Sequence, residues 1–419
     1  MGSNYSKGYL RYLLALFFLI NVSSYMDRMV LAVLVEPIRA EMDLSDSQIG
    51  LLTGFAFAAF YAIMGFPIAR LADSGNRKRI ITISIVFWSA MTALSGKATN
   101  FVHLFLARMG VGVGEAGCFP TCNALIAELY PPKNRALAMG VFMTGSTVGV
   151  ILGFVVGGFL AEAYGWRNTF FIVAAPGVFL ALLIMFTMKQ PLKQAIEDNT
   201  PKTPYLTLIK LLLSNPVYRL MVIGASFGTF ATYGVAQWAP AFFIRSHGMS
   251  LSEVGTLFGA AYGGGSAIGM VLGGWVADKM QNRDASWITK VPAIAYFISF
   301  PLMLISFAVG NSTLAMSVIF IGAVFTGCVT GPTLAAIQHV IPSEGRATAA
   351  AILLFFTSMI GVGAAPFVVG LTSDLLSNQF GEESLRYALM IGSVVVLIAG
   401  YCFFASAKYF KNPTQSVTE

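Results

Sequence analysis

Charge is scarce in this chain. Asp, Glu, Lys and Arg make up 11% of its 419 residues, against 56% hydrophobic. A soluble globule of this size needs more charge on its surface, and water-exposed disorder is excluded by the same imbalance. Cysteine is nearly absent. Cys118, Cys122, Cys328 and Cys402 all fall in apolar stretches, with no disulfide framework and no metal-ligand spacing. Cys118 and Cys122 stand one helical turn apart, but no histidine or further thiol joins them, and they read as small packing residues. The three histidines, His103, His247 and His339, do not cluster. There is no G-K-S/T phosphate loop, which argues against ATP drive, and no serine nucleophile elbow or metalloprotease motif. No catalytic residue, metal or cofactor is therefore expected.

What fills the chain is long apolar runs. Mean hydropathy is +0.74. Twelve stretches are candidates to cross hydrocarbon, which takes about 20 helical residues: 12–35, 47–70, 80–96, 101–128, 136–160, 169–188, 217–244, 252–277, 288–309, 314–338, 347–370 and 386–406. The expected class is an all-α, multi-pass membrane protein. The first stretch is not read as a cleavable signal, because it holds Asp27 and Arg28 and leads into another apolar helix. Of the 26 basic residues, five (Arg39, Lys97, Arg167, Arg245 and Arg386) fall on one side of this layout and nineteen on the side of the termini. By the positive-inside bias both termini are cytoplasmic. The net charge of +7 is explained by topology and anionic membrane lipids, not by nucleic acid. Lean loops point to a cell inner membrane.

The segment 189–216, with K-Q-P-L-K-Q-A-I-E-D-N-T-P-K-T-P-Y, breaks the run of apolar helices. It reads as a cytoplasmic linker with a short surface helix near Tyr205–Leu213. It divides an N-terminal six-helix bundle, 1–188, from a C-terminal one, 217–419. The halves echo each other. A-R-L-A-D-S-G-N-R-K (Ala69 to Lys78) is matched by G-W-V-A-D-K-M-Q-N-R (Gly274 to Arg283). Y-P-P-K-N-R, ending at Arg135, is matched by V-I-P-S-E-G-R, ending at Arg346. A duplicated unit of this kind packs around a central path and rocks against its twin. Gly145, Gly149, Gly153 and Gly157 place a small residue at every fourth position of one helix, as close helix packing in lipid requires.

With these motifs the chain resembles the major facilitator superfamily, across essentially its whole length. Ala69 to Lys78 is similar to the superfamily signature G-x-L-x-D-R-x-G-R-R. Asp73, Arg77 and Lys78 are kept, while Ala69, Ser74 and Asn76 depart from it. The resemblance implies twelve transmembrane helices in two pseudo-symmetric six-helix halves. N-V-S-S-Y-M-D-R (Asn21 to Arg28) and R-M-G-V-G-V-G-E-A-G (Arg108 to Gly117) are similar to the Spinster family, whose members are linked to sphingosine phosphate export and lysophospholipid transport. Ser24 stands where family members often have Asn.

Bare charge in hydrocarbon is costly, so charged residues inside a span mark a polar cavity or an ion path. Asp27, Arg28, Arg108 and Glu115 are the residues so marked. Asp27 and Glu115 are the expected proton-coupling acids. Arg28 and Arg108, planar forks suited to phosphate or carboxylate, are expected at the substrate. Arg108 and Glu115 lie two turns apart on one helix and need partners elsewhere. Asp27 and Arg28 point about 100° apart and need not share one. Thr121, Asn123, Tyr233, Gln237 and Trp238 are further substrate-binding candidates. Asp73, Arg77, Arg135, Asp278 and Arg346 are expected to form a cytoplasmic latch that exists in one conformational state and breaks in another. Lys78 and Arg79 read as topology charges.

The expected function is secondary active, alternating-access transport by a monomer, coupled to protons, of an amphipathic lysophospholipid or sphingolipid-like substrate. Two alternatives stay open. One is a proton symporter for a small organic anion such as a sugar acid. The other is a lipid-binding or regulatory membrane protein that transports nothing.

Overall fold

A computed structural model of the protein describes residues 5–74, 76–189, 205–341 and 346–410, apart from the side chains at 66, 69–70, 72–74, 132, 205–208 and 346–347. Among the described residues all regular structure is helical. The first group of helices is α1 Lys7–Met42, α2 Asp46–Thr53, α3 Phe55–Ser74, α4 Arg77–Ser95, α5 Phe101–Glu115, α6 Cys118–Leu129 and α7 Pro132–Thr187. Then come α8 Tyr205–Ser214, α9 Pro216–His247, α10 Leu251–Phe258 and α11 Gly265–Gln281. The chain finishes with α12 Trp287–Ala308, α13 Ser312–Gly327, α14 Thr330–Val340, α15 Arg346–Phe356, α16 Ala365–Phe380 and α17 Ser384–Ala407. Wide π-type turns at Gly259–Gly264 and Thr357–Ala364 join α10 to α11 and α15 to α16.

Local chemistry sets the helix ends. Ser6, Asn76, Asn100, Asn215 and Asn311 each accept a first-turn backbone N–H, which satisfies donors that no helical carbonyl can reach. Ser45 with Gln48, and Ser250 with Glu253, form full capping boxes.

Seven continuous helical stretches are long and apolar enough to cross a membrane: Lys7–Met42, Asp46–Gly65, Lys133–Thr187, Leu251–Gln281, Trp287–Ala308, Ser312–Val340 and Thr348–Ala407. The third and the last, of 55 and 60 residues, would run about 80–90 Å if straight at 1.5 Å per residue, far beyond a hydrocarbon core of about 30 Å. Each is interrupted by one glycine at positive φ: Gly165 (φ 78°) and Gly381 (φ 58°). The sequence suggests a loop between 160 and 169. The structure instead keeps helix up to and beyond Gly165, whose backbone region (φ 78°, ψ 162°) is one that only glycine enters readily. Conversely, the stretch 101–128 is not one helix but α5 and α6, parted after Glu115.

The apolar interior falls into three clusters. One draws its buried residues only from 13–188, including Leu13, Ile20, Ile85, Leu125 and Ile184. A second draws only from 212–403, including Leu212, Tyr218, Ile288, Ile337 and Phe403. The third takes residues from both: Met29 to Val35 of α1, Phe154 and Phe170 of α7, Trp238 to Phe243 of α9, Phe258 of α10 and Val369 of α16. The shared cluster lies at the end that carries the turns at 43–45, 248–250 and 381–383. Toward the opposite end, where residue 189 leads into the linker, the two groups of helices have separate cores. The molecule is thus closed at one end and parted at the other.

The expected close helix contacts are present. Gly145, Gly149 and Gly153 meet α1 backbone or Cβ atoms at Phe18, Asn21, Val22, Tyr25, Met26 and Met29, and Gly157 faces Val30.

Candidate functional site

A cavity of about 230 Å³ lies on the parted side of the shared core. Asn21, Ser24, Tyr25 and Arg28 of α1 form one wall. Phe57 and Tyr61 of α3, Glu115, Cys118, Phe119 and Cys122 of α5–α6, and Phe142 of α7 continue it. Thr229 of α9 and Leu354, Thr357, Ser358 and Val362 of α15 and its π-type turn face them. The charged residues are Arg28 and Glu115, the facing wall adds the hydroxyls of Thr229, Thr357 and Ser358, and the rest of the lining is largely apolar and aromatic.

The four charged residues form two ion pairs between α1 and α5. Arg28 holds Glu115 with Nη2–Oε2 at 2.5 Å and Nε–Oε2 at 2.7 Å. The Ser24 hydroxyl donates to the same oxygen at 2.6 Å. The guanidinium sits over three rings, with its Cζ 4.9 Å from Tyr25, 4.4 Å from Phe57 and 5.0 Å from Tyr61. These are cation–π distances. The other pair is looser. Arg108 Nη1 stands 3.6 Å from Asp27 Oδ2, and Thr92 of α4 donates to that oxygen at 2.9 Å. Asp27, Arg108 and Glu115 are 1–2% exposed. Asp27 Oδ1, Glu115 Oε1, and Nε and Nη1 of Arg108 have no hydrogen-bond partner among the described residues. The adjacent residues Asp27 and Arg28 thus serve different partners, as their angular separation on a helix allows. Only Arg28 and Glu115 of the four line the cavity.

Of the other expected substrate residues, none lines it. Thr121 is buried and its hydroxyl donates to the Gly117 carbonyl at 2.6 Å. Asn123 lies further along the same helix, its Oδ1 unpartnered among the described residues. Tyr233 is partly buried, packed against the shared core. Gln237, one turn on, is 1% exposed with neither amide atom hydrogen-bonded among the described residues. Trp238 belongs to the closed end: its ring is fully buried and Nε1 donates to the Pro366 carbonyl at 2.8 Å. In this conformation the ring does not line the cavity.

The latch residues divide. The side chains of Asp73 and Arg346 lie outside the described residues. Arg77 pairs with Glu128 of α6 at 2.5 Å, within its own group of helices. Arg135 is exposed. Asp278 is exposed and accepts from Gln281 at 3.1 Å. At the closed end, sequence reasoning missed a denser network. Arg245 of α9 donates through Nε to Glu36 at 2.8 Å, and through Nη1 and Nη2 to the two oxygens of Asp46, each at 2.7 Å. Ser373 also donates to Asp46 at 2.7 Å. Arg167 pairs with Glu41, and Trp166 Nε1 donates to Glu41 at 2.6 Å. The signal was there: four of the five basic residues assigned to this side find an acid. Their place at helix ends made them look like topology charges alone.

Residues 17–366 match the family model described as the Major Facilitator Superfamily. The chain belongs to the Major Facilitator Superfamily. It is 33% identical over 400 residues to an MFS-type efflux pump of Mycolicibacterium smegmatis, covering 94% of this chain and 92% of that one. It is 26% identical over 417 residues to the zebrafish (Danio rerio) sphingosine-1-phosphate transporter SPNS2, covering 93% and 82%. Its structure is similar to the crystal structure of a bacterial homolog of the human lysosomal transporter Spinster, inward-facing and unoccupied, with a TM-score of 0.88, 31% identity, and 97% and 98% of the two chains covered. The chain is therefore a multi-pass membrane transporter of the superfamily, closely related to the Spinster transporters, and works by alternating access as a secondary carrier and not as an enzyme.

Proposed function

We propose that this chain is a proton-coupled carrier of an amphipathic, lysolipid- or sphingolipid-like substrate. The observation that carries the proposal is the make-up of the cavity: one charged pole, Arg28 with Glu115, in walls that are otherwise mostly apolar and aromatic, with the hydroxyl residues Thr229, Thr357 and Ser358 on the facing side. A headgroup with an anionic oxygen suits a guanidinium, and an acyl chain suits Phe57, Phe119, Phe142 and Leu354. Likeness to the zebrafish sphingosine-1-phosphate transporter points the same way. Asp27 is assigned the coupling proton. Its loose pair with Arg108, with one oxygen unpartnered, is the arrangement that protonation rearranges most readily. Glu115 is the second titrating site, exchanging Arg28 between itself and the substrate. Arg108 engages Asp27 in one state and is free for the headgroup in another. Gln237 and Tyr233 reach the substrate once the helices rock. Asp73, Arg77, Arg135, Asp278 and Arg346 remain assigned to the latch of the parted end when it closes.

The architecture we assign is twelve crossings in two six-helix halves, 1–188 and 217–419, joined by the linker 189–216. Seven long stretches, two of them reversing at Gly165 and Gly381, account for nine. Helix α4, the pair α5–α6, and α9 supply the other three. With the termini cytoplasmic in a cell inner membrane, the parted end faces the cytoplasm and the conformation is inward-facing. Two halves in one chain complete a route, so the monomer is the working unit.

The test is a transport panel in proteoliposomes, with lysolipids and soluble carboxylates, each with and without an imposed pH gradient. Lysolipid movement that follows the gradient is the expected result. Competition by a sugar acid with no response to lysolipid would select the organic-anion symporter instead. Saturable binding without flux would select a non-transporting lipid-binding protein.

A further inference from the structure

The closed end repeats one contact twice. Asp374, near the end of α16, accepts the backbone N–H of Asp46 at 2.9 Å and of Ser47 at 2.8 Å, in the first turn of α2. Glu162, in α7, accepts the backbone N–H of Ser252 at 2.9 Å, in the first turn of α10. Each contact joins a carboxylate from one half to the start of a helix in the other, in opposite directions.

The receiving helices match further. Both open on a serine capping box, Ser45–Gln48 and Ser250–Glu253, 205 residues apart. Both then run onto the opposite half through a glycine at the same spacing. A Cβ on Gly50 would strike the Pro366 carbonyl, and one on Gly255 the Phe154 carbonyl. Below each glycine the helix departs from regular geometry, again 205 residues apart: at Gly54 (φ −108°, ψ −92°) and at the π-type turns that begin with Gly259. The sequence spacing, the caps and the breaks therefore describe one structural unit present in two copies.

The repeated contact is electrostatic. First-turn N–H groups carry partial positive charge that a carboxylate satisfies. The receiving backbone donors belong to the other half, so these bonds break when the halves separate at this end. Neither acid lines the substrate cavity.

We propose that Glu162 and Asp374 are a matched pair of gate carboxylates. They set how readily the closed end opens, and so the balance between the two faces of the transport cycle, without contacting substrate. The proposal uses alternating access only in treating this end as a gate, and it is independent of substrate and proton coupling.

The test measures distance and not flux. In the full chain, reconstituted in lipid with its four cysteines replaced, spin labels at Lys97 and Glu382 report the closed end. Labels at Lys133 and Lys408 report the parted end. All four positions are exposed. Glu162→Gln and Asp374→Asn should each raise the open-to-closed ratio at the first pair roughly 5-fold, the low end of measured coupling energies. The double variant should approach the product, because the sites share no partner. The second pair should shorten in step. Asp43→Asn, an exposed acid at the same end, should leave both distributions unchanged. Unaltered distributions in the two folded single variants would overturn the proposal. So would a change at the first pair with no reciprocal change at the second, since that is local fraying. If the double variant does not fold, the singles decide. A chain that carries none of the tested substrates but shows the shift keeps the gate and loses the carrier reading; the reverse result does the opposite.

Discussion

Arg28 holds Glu115 through two nitrogens at 2.5 and 2.7 Å, whereas Asp27, its neighbour in the chain, meets Arg108 only at 3.6 Å. Both pairs lie between the same two helices, the Asp27 pair fully buried and the Arg28 pair open to the cavity on its arginine side. The Arg28 pair has a serine hydroxyl on the carboxylate and three aromatic rings around the guanidinium. The Asp27 pair has one threonine, and three of its polar atoms are unpartnered among the described residues, against one, Glu115 Oε1, in the Arg28 pair. A buried ion pair is favourable only when its geometry is good and its remaining donors and acceptors are satisfied. By that measure Arg28–Glu115 is built to last in this conformation, and Asp27–Arg108 is built to change.

The contrast can be broken by substitution. The largest effect expected is from Glu115→Gln, which leaves the part-buried Arg28 guanidinium without the counter-charge that holds it by two hydrogen-bonding nitrogens. Removing one partner of such a pair costs about 3–5 kcal/mol, readable as a fall in the unfolding midpoint in detergent. Phe57→Leu removes the nearest ring from the same cation and should cost about 1–2 kcal/mol by the same assay. Asp27→Asn should cost less than Glu115→Gln, because at 3.6 Å the pair forms no hydrogen bond to lose and Asn can still accept from Thr92. Equal losses for the two acids would remove the distinction between the pairs. The smallest effect is expected from Thr92→Val, about 0.6 kcal/mol, the usual scale for one hydrogen bond between membrane helices.

Much of the site was legible because charge in an apolar helix is conspicuous. Asp27, Arg28, Arg108 and Glu115 stood out on that ground alone, and the helix angle allowed separate partners for the first two without requiring them. Which acid meets which base was not legible, because it depends on how α1 and α5 are rotated against each other, and neither helix records that in its own residues. The aromatic box was hidden for a similar reason: Phe57 and Tyr61 are two of 34 Phe and 15 Tyr, and only packing against α1 singles them out. Trp238 stands beside Tyr233 and Gln237 in sequence but projects from a different face of α9, and its burial at the closed end depends on packing that the sequence alone does not show. The closed-end network of Glu36, Asp46 and Arg245 was overlooked because charges at helix ends are ordinary. The break after Glu115 and the continuity around Gly165 are backbone facts that hydropathy does not encode.

The central claim, that Asp27 carries the coupling proton while Arg28–Glu115 forms the charged wall of the cavity, is tested most directly by substrate flux in proteoliposomes for wild type and Asp27→Asn, measured both under an imposed pH gradient and as exchange at equal pH. The expected result is loss of gradient-driven accumulation with exchange retained. Full gradient-driven accumulation by Asp27→Asn would contradict the account.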